Sequence, residues 1–348
     1  MSVVVDTKGC FVEPKFSGYR TVTYANGDSY EGNFLEGLKH GKGTYTYANG
    51  DKYQGYFEKD LKHGKGTFTY ADEDLYEGNF VEDLMHGNGT FTFANGSKYQ
   101  GDLVKGLMHG KGTFTCANGD LYEGDFVEGL MHGNGTFTYA KGDKYEGDFV
   151  KDMKNGKGTF TYANGNVYEG DWENDKRHGK GCLTEKYGDV YDGEWKNDKR
   201  DGNGRFTDED GDVYDGEWKN DKRHGKGCLT EKYGDVYIGE WENNRKHGEG
   251  KMIYPDKSFY EGNWLNNNKH GKGTERDTDG NLHKGNWING FIGSSGFFFE
   301  VKTWCPYEAD YENNEMVRKY ILRGQVDYYK FRYKYNKKSI KRLIESKE

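Results

Sequence analysis

Nine of the ten histidines in this 348-residue chain recur at a fixed interval of 23 residues or its multiples. Imidazole is a common zinc ligand and a frequent general base, so such a ladder invites a metal or catalytic interpretation. Equivalent histidines of neighbouring repeats would lie two strands apart, about 10 Å, whereas zinc needs its donors at about 2.0–2.1 Å. A structural role is therefore favoured. The nine are His40, His63, His86, His109, His132, His178, His224, His247 and His270.

Pairs of carboxylates also recur, such as Glu123 with Asp125. A catalytic dyad needs one pocket in which two acids have unlike surroundings, and repetition in nearly every unit favours a solvated face instead. The glycines do not form a nucleophile elbow, a P-loop or a dinucleotide fingerprint. Five dispersed cysteines fit a reducing compartment better than a disulfide framework. The sequence therefore predicts a cytoplasmic protein with no enzymatic activity, metal or cofactor.

The element that carries these residues is a repeat of 23 residues, marked by Tyr-x-Gly-x-Phe/Trp from Tyr30 to Tyr260 and continued by His283. About 13 units fit residues 7–305. The composition has 53 glycines, 16% aromatic residues and only 33% apolar residues, too few aliphatic side chains for a two-layer core. The pattern therefore indicates a glycine-punctuated β protein.

Each repeat predicts two short strands. Alternation places Tyr53, Gly55 and Phe57 on one face, and glycine beside a cross-strand ring leaves a slot for that ring. The Asn49-Gly50 step predicts a type I′ turn, and residues 36–41 predict a longer loop that ends in a His-Gly step. The expected fold is all-β, an elongated single-layer antiparallel meander of about 13 hairpins.

These motifs resemble the MORN (membrane occupation and recognition nexus) repeat, as in residues 122–126 and the His-Gly-x-Gly step at 132–135. The resemblance covers residues 7–299. It implies a twisted sheet with a groove that binds helices or extended peptides, and scaffolding at membranes or the cytoskeleton. Some family members are dimers, and some carry a lipid kinase or lysine methyltransferase domain, for which the residues outside the array are too few.

The aromatic residue four after each Tyr changes from Phe to Trp at Trp172, and acids then replace the last ring of most second strands. Alternation puts these acids on the same face as the tryptophans. This predicts a groove floored by Trp and edged by carboxylates, suited to a basic partner helix. Drift within a duplicated block, residues 174–191 and 220–237, is the alternative. The groove residues are Trp172, Trp195, Trp218, Trp241, Trp264, Glu185, Asp208 and Glu231.

The last segment, residues 300–348, is basic and aromatic. Helical spacing of Met316, Val317, Tyr320 and Ile321, a strand pattern at 329–335 and a short helix at 340–344 favour a mixed α/β cap on the array. Attraction to anionic phospholipid, contact with nucleic acid and docking in the acidic groove stay open. The basic residues are Lys330, Arg332, Lys334, Lys337, Lys338, Lys341 and Arg342.

The sequence thus predicts a lead (1–6), a repeat array (7–299) and a cap (300–348). The expected function is a non-enzymatic scaffold or adaptor that binds a helical or extended protein segment along the aromatic groove, at a membrane or cytoskeletal structure. The alternative is a peripheral membrane protein that binds anionic phospholipid or phosphoinositide through the basic tail. Nucleic acid is the less favoured partner, and a homodimer is an open possibility.

Overall fold

A computed structural model of the chain describes residues 5–6, 15–303 and 305–321. The chain divides into two compact units, residues 1–186 and 187–348, here the N-terminal unit and the C-terminal unit. The described residues form strands and turns and include no helix. Within each unit, every strand pairs antiparallel with the next one along the chain. The predicted all-β antiparallel meander is confirmed.

The N-terminal unit contains β1 (Val5–Asp6), β2 (Gly18–Thr23), β3 (Ser29–Leu35), β4 (Leu38–Thr46), β5 (Lys52–Glu58), β6 (Leu61–Thr69), β7 (Leu75–Val81), β8 (Leu84–Thr92), β9 (Lys98–Val104), β10 (Leu107–Thr115), β11 (Leu121–Val127), β12 (Leu130–Thr138), β13 (Lys144–Val150), β14 (Met153–Thr161), β15 (Val167–Glu173) and β16 (Lys176–Thr184).

The C-terminal unit contains β17 (Val190–Lys196), β18 (Lys199–Thr207), β19 (Val213–Lys219), β20 (Lys222–Thr230), β21 (Val236–Glu242), β22 (Arg245–Ile253), β23 (Phe259–Leu265), β24 (Asn268–Arg276), β25 (Leu282–Ile288), β26 (Phe291–Glu300), β27 (Cys305–Glu312) and β28 (Glu315–Ile321).

The repeat tyrosine lies flat over a pair of glycines. In the hairpin β5–β6, Gly55 is directly opposite Gly66, and a Cβ added to Gly66 would lie 2.5 Å from Cε2 of Tyr53. The Tyr53 hydroxyl donates a hydrogen bond to the backbone oxygen of Tyr56 at 2.9 Å. The predicted slot for the ring is therefore confirmed, and only glycine leaves room for it.

The core of each unit is a row of rings packed edge to face. Tyr53 meets Phe57 with centroids 5.1 Å apart and Phe80 of the next repeat at 4.9 Å. In the C-terminal unit, Tyr214 meets Trp218 at 5.2 Å and Trp241 at 5.4 Å. The repeat tyrosines from Tyr30 to Tyr260 are at most 2% exposed. A single layer thus buries a core of rings, which accounts for a chain rich in aromatic and poor in aliphatic residues.

The Asn-Gly connection differs from its prediction. At the turn after β4, only Gly50 has a positive φ, 99°, and its N–H donates to the backbone oxygen of Tyr47 at 3.0 Å. The Asn49 side chain instead accepts a hydrogen bond from the N–H of Asp51 at 3.0 Å. A type I′ turn requires positive φ at both central residues, so that prediction for Asn49-Gly50 is wrong.

The other connection is shorter than predicted. Between β5 and β6 only Lys59 and Asp60 connect the strands, and both have positive φ, 50° and 72°, the arrangement of a type I′ turn. The His63-Gly64 step lies inside β6, where Gly64 has φ of 62° and the pairing register shifts by a bulge. The prediction of a longer loop is therefore wrong.

The helix predicted around Met316 is also wrong. Residues 315–321 form β28, which pairs with β27 through Tyr311 opposite Met316. Asn313 and Asn314 make the same two-residue turn with positive φ. A strand forms here in place of a helix because Tyr307, Ala309 and Tyr311 of the neighbouring β27 alternate onto its buried face. The strand predicted at 329–335, the helix at 340–344 and the basic residues of the tail lie outside the described residues.

Candidate functional site

The five tryptophans predicted to floor a groove are buried, with 3–6% of their surface exposed. Their indole N–H groups bond to the sheet: Nε1 of Trp218 donates to the backbone oxygen of Gly204 at 2.9 Å, and that of Trp264 to Gly250 at 3.1 Å. The change from Phe to Trp therefore adds a hydrogen bond within the core, a structural role that the alternation of residue types does not reveal.

A row of cations covers these rings. Each member lies opposite the Phe or Trp of its own repeat, as Arg200 does opposite Trp195, and several also reach over the ring of the next repeat. The Arg200 guanidinium lies 4.4 Å from the centre of the Trp218 ring. We call this set the cation row; the sequence signal is a Lys or Arg one residue before His in most repeats. Its members are Lys39, Lys62, Lys154, Arg177, Arg200, Arg223, Lys246 and Lys269.

Burial of the cation row has an electrostatic cost. Desolvation lowers the pKa of Lys39, Lys62 and Lys246 below the ordinary range of lysine. It also lowers the pKa of Arg223, an effect that the nearby Tyr214 and Glu231 oppose. A carboxylate brought to these cations from outside would offset part of that cost.

The three predicted groove acids occupy different environments. Glu185 is exposed, whereas Asp208 and Glu231 are half-buried. Asp208 caps its own turn, since its Oδ1 accepts hydrogen bonds from the N–H groups of Asp210 at 3.1 Å and Asp212 at 2.8 Å. Glu231 acts electrostatically on Arg223 and Lys246. The acids of the C-terminal unit thus accompany the cation row rather than edging exposed indole rings.

The cation row is interrupted in three consecutive repeats of the N-terminal unit, where Met85, Met108 and Met131 take its position. These methionines are half-buried and lie on the same face as a band of partly exposed rings. Within that band the ring centre of Phe93 lies 4.5 Å from that of Phe91 and 5.9 Å from that of Phe114, both in tilted arrangements. We call this apolar surface the methionine window. It comprises Met85, Met108, Met131, Phe91, Phe93, Phe114 and Phe137.

The repeat histidines lie apart from one another, and several of them contact a nearby glutamate. Nε2 of His63 lies 3.6 Å from Glu58, and Nδ1 of His178 lies 3.3 Å from Glu173. In the part of the chain that the structure describes, no three His, Cys, Asp or Glu side chains are grouped to hold a metal ion. His283, where the repeat tyrosine is lost, contacts Asp277 and the Tyr311 hydroxyl, each at 3.2 Å, beside a cavity of about 390 Å³.

The repeat architecture corresponds to a known family model. The model described as MORN repeat matches more than half of the chain, in segments that follow the hairpins one by one. The chain belongs to the MORN repeat family. The matched segments are residues 30–52, 53–75, 76–98, 99–121, 122–144, 145–167, 168–184, 191–213, 214–230, 237–259 and 260–282.

Solved structures with some similarity to this MORN-repeat chain include two TCP domains. That of Drosophila melanogaster SAS-4, in complex with a proline-rich motif of Ana2, is 14% identical, with 45% of this chain and 85% of that one covered and a TM-score of 0.29. The TCP10 domain of Danio rerio CPAP, in complex with a STIL peptide, is 11% identical, with 75% and 96% covered and a TM-score of 0.26. None of the curated proteins matches the chain. No helix of a length and apolarity able to cross a bilayer occurs among the described residues.

Proposed function

We propose that this MORN-repeat protein is a non-enzymatic scaffold that binds a protein segment along the ring-bearing face of its sheet, with the methionine window as the main contact. The observation that carries the proposal is the replacement of Lys or Arg by Met85, Met108 and Met131 at one register position. Action at a membrane or a cytoskeletal structure is part of the proposal and rests on the family alone.

The window differs from the rest of the face in what a partner would meet first. Elsewhere a half-buried cation lies over the rings, as Lys62 lies 4.9 Å from the centre of the Phe68 ring. In the window, apolar side chains of a partner can reach Phe91 and Phe114 without displacing a charge. Methionine adapts its shape to a partner, and aromatic side chains supply much of the buried area in protein interfaces.

The borders of the window indicate the partner's charge. Lys62 flanks it on one side and Lys154 on the other, with Lys154 already paired to Asp175 at 3.3 Å. Carboxylates at both ends of an apolar segment, helical or extended, would complement these cations. The partner proposed for the window is therefore an apolar segment with acidic ends.

Binding can be measured with a synthetic amphipathic peptide of about 20 residues that carries leucines at helical spacing and glutamates at both ends. We expect Met108→Lys, which installs the residue found at Lys62 and Lys154 on either side of the window, to weaken binding at least tenfold, or about 1.4 kcal/mol. Gln100→Lys places the same charge on the opposite face of β9 and should leave binding unchanged. Fluorescence anisotropy gives the Kd, and circular dichroism checks the fold.

Two results would count against the proposal: equal binding by the Met108→Lys variant and the unaltered protein, or equal binding of a peptide with lysines in place of its terminal glutamates. The first result would show that the methionine window is not the contact surface. The second would show that the cations at its borders do not determine which partner binds.

The acidic groove of the C-terminal unit stays a separate proposal, for a partner with basic residues. Because Trp218 is 6% exposed and bonded to Gly204, replacing it by Ala would disrupt the core and would not isolate binding. Glu231→Gln alters the charge beside Arg223 and Lys246 with little change in shape. A lysine-rich peptide should bind this variant more weakly than the unaltered protein, with Gln54→Glu on the opposite face of the N-terminal unit as the control.

A further inference from the structure

The first six two-residue turns of the N-terminal unit carry charges of alternating sign along one edge of the sheet. These turns connect β3 to β4, β5 to β6, β7 to β8, β9 to β10, β11 to β12 and β13 to β14. All six leading side chains are exposed, and none of them takes part in an ion pair within the residues that the structure describes. We call this edge the turn edge. Its leading residues are Glu36, Lys59, Glu82, Lys105, Glu128 and Lys151.

The turns themselves do not require these charges. Each leading residue has φ between 48° and 52°, in the left-handed region where Asn is the most readily accepted residue other than Gly. The corresponding residue of the described turns in the C-terminal unit is always Asn, with φ of 48° to 51°. The N-terminal unit therefore forgoes the favoured residue six times in succession, and the alternation needs another explanation.

Apolar side chains accompany the charges. Val81 and Leu84 flank the third turn and are 41% and 46% exposed, and Leu107 beside the fourth is 50% exposed. At the first two turns of the C-terminal unit, lysines such as Lys196 and Lys199 occupy the same two positions. Single exposed apolar residues are ordinary, but a periodic row of them along one edge is typical of an interaction surface.

We propose that the turn edge binds a second copy of this chain, antiparallel, about a two-fold axis that passes between the third and fourth turns. In this arrangement the first turn opposes the sixth, the second the fifth and the third the fourth, so that every leading residue meets an opposite charge. The opposed pairs are Glu36 with the partner's Lys151, Lys59 with the partner's Glu128, and Glu82 with the partner's Lys105.

The second residues of the turns follow the same symmetry. They read Gly37, Asp60, Asp83, Gly106, Gly129 and Asp152. Reversing that order places every Asp opposite a Gly, so no two acids face each other. A parallel arrangement in register would oppose like charges at all six leading positions. Self-complementarity of this kind is what an interface related by a two-fold axis requires.

The spacing also favours an identical partner. Equivalent turns are two strands apart, about 10 Å, so the six turns extend over about 50 Å. A second copy has the same spacing, so opposed turns stay in step along the edge. A strip about 10–15 Å deep over that length would bury about 500–750 Å² on each copy, near the lower end of stable interfaces. The turn edge is distinct from the methionine window, so this inference stands apart from the proposed function.

Sedimentation of the full chain in about 0.1 M salt tests the inference. We expect a dimer, and we expect Glu82→Lys to raise its Kd at least tenfold, since symmetry makes two like-charge contacts with Lys105. Lys105→Glu should do the same. The double variant restores opposite charges and should return the Kd to within about threefold of the original. As controls, Asn197→Lys and Asn220→Glu place the same charges at the corresponding turn position of the C-terminal unit, and they should leave the Kd of the dimer unchanged.

A monomer at about 50 μM would overturn the inference, as would a dimer whose Kd is the same in both single charge variants. A double variant that dissociates as readily as the single ones would exclude the antiparallel pairing. Leu107→Ser gives a second measurement: it removes an exposed side chain without touching the core, and it should also weaken the dimer. Circular dichroism melting confirms that each variant is folded before its Kd is compared.

Discussion

The glycine pair under each tyrosine provides the sharpest test of how this fold is held together. We consider Gly66→Ala in β6. The added Cβ would lie 2.5 Å from Cε2 of Tyr53 and 2.7 Å from its Cζ, whereas ordinary contacts begin near 3.4 Å. The ring must therefore move by about 1 Å, and it is completely buried.

The cost follows from what the displaced ring loses. Overpacking a filled core costs about 1–3 kcal/mol, and weakening the hydrogen bond from Tyr53 to the oxygen of Tyr56 adds about 1 kcal/mol. The edge-to-face contacts with Phe57 and Phe80 are strained by the same movement. Alanine recovers about 0.5–1 kcal/mol because it loses less backbone entropy than glycine on folding. We expect a net loss of about 1–3 kcal/mol in the free energy of unfolding.

A double-mutant cycle assigns that loss to the ring. In a Tyr53→Val background the Cβ added at position 66 no longer meets an aromatic side chain, so Gly66→Ala should be neutral or slightly stabilising. Urea unfolding followed by circular dichroism gives the four free energies, and Thr67→Ala on the opposite face serves as the control. The reasoning is refuted if Gly66→Ala costs as much without the tyrosine ring as with it.

Two further predictions concern the rings. Trp218→Phe should cost about 1–2 kcal/mol more than Trp287→Phe in urea unfolding, because Trp218 loses its bond to Gly204 whereas the buried Nε1 of Trp287 makes no hydrogen bond among the described residues. Stability should hold up to about pH 9 and fall above pH 10, since burial raises the pKa of Tyr76 and Tyr99 to about 12. Above pH 10 the unfolded chain loses these protons before the folded one does, so the free energy of unfolding falls by up to about 1.4 kcal/mol per pH unit for each tyrosine. A melting temperature that stays constant between pH 9 and 12 would contradict this.

The repeat fold could be predicted from the sequence because its determinants are local. Alternation along seven residues of β5 identifies which side chains share a face, and the fixed offset of two from Tyr53 to Gly55 identifies the slot for the ring. The cross-strand partner Gly66 follows from the same period. No long-range information is needed for any of these steps.

The turns could not be predicted because their stability comes from the neighbouring repeat. Asp60 tolerates positive φ, but Lys59 is not a residue type that favours it. The Asp60 carboxylate accepts a hydrogen bond from the backbone N–H of Lys39 at 2.8 Å, and its own N–H donates to the oxygen of Lys39 at 3.0 Å. These contacts span 21 residues and hold the turn in a conformation that the local sequence disfavours.

The buried state of the tryptophans was missed for a related reason. A single layer of strands suggests that one face of rings lies open, and alternation alone cannot show what covers it. The bulge in each hairpin decides this, because it brings Arg200 opposite Trp195 and lets its guanidinium lie over Trp218.

It follows that a partner of this array would select among repeats through the residues that cover the rings rather than through the rings themselves. Tyr76 and Tyr214 are both buried and both pack edge to face, on Phe80 and Trp218, so the row of tyrosines offers a partner no basis for choosing between repeats. The covering position does differ, from Met108 in the window to Arg223 in the C-terminal unit. A change at that one register position alters the charge a partner meets without altering the rings beneath, and the Met108→Lys variant tests this separation of core from contact surface.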